Sequence, residues 1–160
     1  MSNLIVNGSF ETGAFPPWLA NHAFVTNQFA HTGSFSAELE AGDNPYILQT
    51  FAVSAGDTLN ISLFLGKDGA GFIDDVLIQA VFYDVNFTFL SVGLAVTVLG
   101  SSIPNASQSW ENVQGVTTMA PTGTTQAMLL IASQKQINTR DLLVDDVSVN
   151  IAGSTGTTGP

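Results

Sequence analysis

An all-β fold, an antiparallel β-sandwich of jelly-roll type, is what this sequence predicts, and three observations predict it. Short runs of β-branched and aromatic residues recur along the chain, clusters of Gly, Pro, Asn, Asp and Ser separate them, and helix signals are almost absent. About ten such runs, each with one apolar face to bury, require two packed sheets.

Taken in order, the candidate strands are 4–6, 23–29, 34–39, 46–53, 58–66, 75–84, 89–99, 110–119, 126–133 and 142–151. The breaks between them include TGAFPP, AGDNP, SAGD, GKDGAG, SIPNAS and APTGT, which are turn and loop compositions. Alternation assigns the faces. In LNISLFLG, Leu59, Ile61, Leu63 and Leu65 share one side, opposite Asn60, Ser62 and Phe64; in VLIQAVFYD, Val76, Ile78, Ala80 and Phe82 oppose Leu77, Gln79, Val81 and Tyr83. The first set of each is assigned to the core, and the second face is mixed.

The chain of 160 residues suits one domain, placed at 1–152, with 153–160 set apart as a tail. It has no cysteine, which excludes disulfides, thiolate metal sites and cysteine nucleophiles. Lys67, Lys135 and Arg140 stand against thirteen acids, and the resulting charge of −10 argues against nucleic acid and anionic lipid as partners. The most apolar run, VGLAVTVLG at 92–100, is far shorter than the ~20 residues of a membrane span. The start, MSNLIVNGSF, has neither a basic nor an apolar leader region, so no classical signal peptide is expected. Mean hydropathy is +0.30 with only 10% charged residues, more apolar surface than one core hides, and an oligomer is expected.

A non-catalytic protein is expected. Asp74, Asp75 and Asp84 supply carboxylates, yet GKDGAGFIDD reads as a loop of solvated acids and Asp84 closes a strand before a turn. His22 and His31 have no serine elbow, HExxH motif or phosphate-binding glycine loop nearby.

LIVNGSFETGAFPPW (4–18), HTGSFSAEL (31–39), ILQTFAVSAGDTLNISLFL (47–65), WENVQGVTTMAPTGTTQAMLLI (110–131) and LLVDDVSV (142–149) follow in order the pattern of family-four and family-nine carbohydrate-binding modules. The sequence therefore resembles a galactose-binding-like jelly roll over nearly the whole domain. The resemblance implies a structural calcium, with Glu11 and Asp145 as side-chain ligands and backbone carbonyls near Asn7 and Gly33. The alternative is that Glu11 and Asp145 are ordinary loop and strand-end acids. Asp145 is read as inward-facing, and Asp146, on the opposite face, as meeting solvent. The resemblance also implies a sugar groove of stacking aromatics and amides, for which Phe64, Gln79 and Tyr83 on strands and Tyr46 and Phe72 at turns are the candidates. Trp18 and Trp110 match core positions, and no Trp or Tyr ladder is evident.

The ending GSTGTTGP repeats glycine every third residue, at Gly153, Gly156 and Gly159, with Pro160 after the last. This reads either as the start of a collagen-like repeat or as a flexible linker. Threonine-rich triplets resemble those of collagen-like surface proteins of spore-forming bacilli, some of which carry an N-terminal jelly-roll-like domain of the NTTRR group; a viral tail fibre stays open as a source. The resemblance implies a homotrimeric surface fibre on a cell or spore surface of the exosporium kind. Its head domain would serve adhesion to a glycan or surface protein, or anchoring and trimer initiation. Leu94, Val96 and Val98 then supply the oligomer interface, or else belong to a strand in the centre of its own sandwich. The alternative function is a carbohydrate-binding module tethered by a linker to an enzyme.

Overall fold

The computed structural model describes residues 3–42, 44–133 and 140–154. Ten strands form two five-stranded sheets: β1 Leu19–Asn21, β2 Ala23–Thr26, β3 Ser36–Leu39, β4 Tyr46–Ala52, β5 Asp57–Lys67, β6 Val76–Tyr83, β7 Phe89–Val98, β8 Glu111–Val116, β9 Gln126–Ser133 and β10 Leu142–Ser154. The first sheet runs β1-β4-β9-β6-β7 and the second β2-β3-β10-β5-β8, with antiparallel pairing between neighbours. This is the β-sandwich expected. A 3₁₀ turn, Gly100–Ser102, follows β7. No helix among the described residues is long and apolar enough to cross a membrane.

Alternation places the core where the sequence puts it. Leu59, Ile61, Leu63 and Leu65 of β5, and Val76, Ile78, Ala80 and Phe82 of β6, are all buried between the sheets. Ile47, Leu129, Ile131, Val144 and Val149 join them from β4, β9 and β10. Trp18 is core, its ring centroid 5.5 Å from that of the fully buried Phe10.

Four elements differ from expectation. The run 4–6 is not a strand; it docks on the sandwich through side-chain amides. Gln49 grips Val6 at both its N–H and its carbonyl, and Asn3 accepts from Ile5 and Val149 while donating to Val147. β1 is three residues long, too short to show an alternation. β10 continues through Gly153 and Ser154, whose backbones pair with Thr58 and Asp57, so the first glycine of the tail series lies in the sheet, past the boundary at 152. Residues 155–160 lie outside the described residues. Finally, Leu94, Val96 and Val98 pair with Ala80, Ile78 and Val76 and pack against the domain's own core. β7 is the edge of its sheet, but the row proposed for a subunit contact is turned inward.

Candidate functional site

The strands of the first sheet contain no Asp, Glu, Lys, Arg or His at all, in a chain of net charge −10. Register aligns its outer face in rows. One runs Leu19, Leu48, Leu130, Gln79, Ala95 across β1, β4, β9, β6 and β7. On one side lies Asn21, Tyr46, Ala132, Leu77, Thr97; on the other lie Thr50, Met128, Val81, Val92 and then Ala52, Gln126, Tyr83, Phe89. The surface is a broad apolar floor with amides and phenols set into it. Gln79 stands near its middle, and its side-chain amide has no hydrogen-bond partner among the described residues. Tyr46 lies two strands away, about 10 Å in lateral spacing, and Tyr83 four residues along β6, about 13 Å. The Tyr83 ring is steadied by Phe87, with centroids 5.9 Å apart. The structure thus brings Gln79, Tyr83 and Tyr46 to one face.

The other two sugar candidates are elsewhere. Phe64 is on β5 of the second sheet, and its face is covered by the His31 ring, stacked at 3.8 Å, with Trp110 edge-on to that histidine. Alternation along one strand shows which side a residue takes but not which sheet it belongs to, and so Phe64 could not be separated from Gln79. Trp110 is accordingly half-buried outside the second sheet and not in the core. Phe72 is 82% exposed in the loop before β6 and lines a separate depression of about 290 Å³ with Lys67, Ile73 and Gly100.

The calcium candidates converge on one turn. Asp145 Oδ2 accepts from the N–H groups of His31 and Thr32, and the Glu11 carboxylate from those of Ser34 and Phe35. Gly33 sits between, so close that a side chain there would overlap the Glu11 carboxyl. The Asn7 carbonyl accepts from Trp18 Nε1 at 3.0 Å and from the Phe10 N–H at 3.2 Å.

Asp145 is fully buried, but toward this turn on the outer side of the second sheet, not between the sheets. Burial pushes its carboxyl up to about 7, against the lowering by its backbone donors. Asp146 does not point to solvent. A register shift between Asp145 and Ser148, with Asp146 at φ 49°, turns both carboxylates the same way. Asp146 accepts from Ser9 Oγ and Thr32 Oγ1 and lies 2.7 Å from His31 Nδ1. Burial raises it, but these hydrogen bonds and the His31 charge leave it below the ordinary carboxylate value.

The acids weighed for catalysis are turn-builders. Asp74 accepts from the Asp75 N–H, Asp75 from the Gly100 N–H, and Asp84 from those of Asn86 and Thr88. One acidic group escaped the sequence reading: Glu38, Asp68 and Asp141, whose carboxylate oxygens lie within 4.8 Å of one another and could hold a metal ion. Glu38 sits in a four-residue strand, and the group assembles from three distant segments, so no local spacing announces it.

No family model and no curated protein matches the sequence. Solved structures share the fold. A family 61 carbohydrate-binding module in complex with β-1,4-galactotriose aligns with TM-score 0.68 at 16% identity over 94% of this chain and 99% of its own. A xylan-binding domain of family 22 aligns with TM-score 0.64 at 16% identity over 99% of both chains. The enzymatically active domain of tailspike protein 4 of bacteriophage CBA120 aligns with TM-score 0.73 at 13% identity; this chain covers 21% of it, against 93% of itself. The chain shares the β-sandwich fold of these carbohydrate-binding modules.

Proposed function

We propose that this domain is a non-catalytic carbohydrate-binding module, of the family-four and family-nine kind that its motifs resemble, and that it binds an uncharged glycan on the outer face of the first sheet. The observation that carries the reading is a charge-free apolar floor with the unpartnered amide of Gln79 set in it and Tyr46 and Tyr83 toward its margins. Apolar and aromatic surface stacks on the C–H faces of sugar rings, and a neutral amide meets hydroxyls without the desolvation cost of a charge. The shared fold with a module that holds β-1,4-galactotriose supports it. In a glycan array followed by calorimetry, Gln79→Ala and Tyr83→Ala should each weaken binding about tenfold, the worth of one lost hydrogen bond or stacking contact. Both should keep the wild-type melting temperature. An array without hits overturns the reading, as does undiminished binding in both variants.

A structural calcium on Glu11 and Asp145, with the carbonyl of Gly33, belongs to the same reading; two carboxylates meeting at one turn support it. Calcium at ~100 times its dissociation constant should add roughly 2.7 kcal/mol to stability. Glu11→Gln should erase that gain, and an unchanged melting temperature on chelation in wild type rules the site out.

Assembly as the trimeric head of a collagen-like surface fibre is the second reading. An apolar cluster favours it at the β6–β7 hairpin, where Val85, Phe87, Phe89 and Val92 are 72%, 54%, 57% and 41% exposed.

A further inference from the structure

We infer that Glu38, Asp68 and Asp141 form a binding site for a hard divalent cation of the Ca²⁺ class, separate from Glu11 and Asp145. Glu38 stands on β3 between Phe24 and Leu143, Asp68 directly follows β5, and Asp141 directly precedes β10. Glu38 is only 7% exposed, yet no N–H, hydroxyl or cation among the described residues donates to it. What faces it is two more carboxylates. A buried carboxylate in that position requires a counter-charge or a proton.

The two aspartates are already oriented. Asp68 Oδ1 accepts from Arg140 Nε at 3.0 Å and the Asp141 N–H at 3.1 Å, and Asp141 Oδ1 from the Ala41 N–H at 2.8 Å. Each is thereby fixed through one oxygen, and the carboxylates of both face Glu38. Three carboxylates and the Arg140 guanidinium sum to −2, the charge that one divalent ion neutralises. An all-oxygen set selects Ca²⁺, Mg²⁺ or Mn²⁺ over the softer transition metals.

The competing occupant is a proton. Burial, with hydrogen bonding to and repulsion from Asp141 and then Asp68, pushes Glu38 up to about 8 in the absence of an ion. Glu38→Gln separates the two, since the amide reproduces the protonated acid and cannot replace the carboxylate as a ligand. Wild type and Glu38→Gln are titrated calorimetrically with CaCl₂, MgCl₂ and MnCl₂, with near-UV circular dichroism confirming the fold and Asp68→Asn as a second variant. Wild type should bind one more ion than either variant, or bind its weaker ion at least tenfold more tightly. The same difference should persist in a Glu11→Gln background, which distinguishes failure here from failure of the calcium site at the 31–35 turn. Equal stoichiometry and affinity in wild type and variants, or no ion taken up in the Glu11→Gln background, overturns the proposal.

Discussion

Gly8→Ala is expected to lower the melting temperature by roughly 5–10 °C and to abolish stabilisation by calcium at the 31–35 turn. A β-carbon at Gly8 would lie 2.1 Å from the carbonyl oxygen of Val147 and 3.3 Å from the Ile5 side chain. The first neighbour is backbone and cannot swing aside. Gly8 also accepts the Val147 N–H at 2.9 Å, so pushing the N-terminal turn off β10 breaks that bond as well. Overpacking costs about 1–3 kcal/mol, and a buried donor left unpaired about 1–3 more. In a domain of this size each kcal/mol is worth about 2–4 °C. Val147 lies within the irregularity that turns Asp145 and Asp146 toward the 31–35 turn, so the damage reaches the candidate metal ligands directly. Calorimetry with and without chelator measures both effects. A wild-type melting temperature in Gly8→Ala would show that the N-terminal segment does not hold that bulge in place.

What the sequence made legible was governed by period-two alternation. β5, β6 and β9 run for eight residues or more, and their bounds fall within a residue of expectation; the core rows assigned in β5 and β6 are buried, although Val81 of β6, assigned to the other face, is buried as well. β1 has too few residues for a period. Alternation failed at Asp145 and Asp146 because a bulge breaks it, which a run of letters with no partner strand cannot reveal. Phe64, Gln79 and Tyr83 were grouped correctly as non-core, yet they divide between two sheets; strand order is a long-range property, and β5 and β6, adjacent in sequence, lie in different sheets. The charge-free face was present in the composition of five strings. It became a surface only once those strings were known to be neighbours.

Strand order also decides what a charge does in β7, the edge strand of the first sheet. Val96 pairs with Ile78 and packs against the core, while Val92, Ala95 and Thr97 of the same strand are exposed. Val96→Asp loses apolar burial worth about 1.5–3 kcal/mol in full and puts a carboxylate against Ile78 without a partner. Because total stability is about 5–15 kcal/mol, this variant should melt roughly 5–10 °C lower and give a larger unfolded fraction, not a population of folded monomers. Val92→Asp, on a side chain 41% exposed, should keep the wild-type melting temperature. Light scattering at micromolar concentration then tests assembly independently of folding. If wild type scatters as a trimer through the β6–β7 hairpin, Val92→Asp should shift the mass to the monomer with the fold intact. A Val96→Asp protein that stays fully folded and changes only its mass would return that row to a subunit contact. A wild type that is monomeric removes this domain from any part in initiating a fibre, and leaves the charge-free face of the first sheet as its one proposed recognition surface.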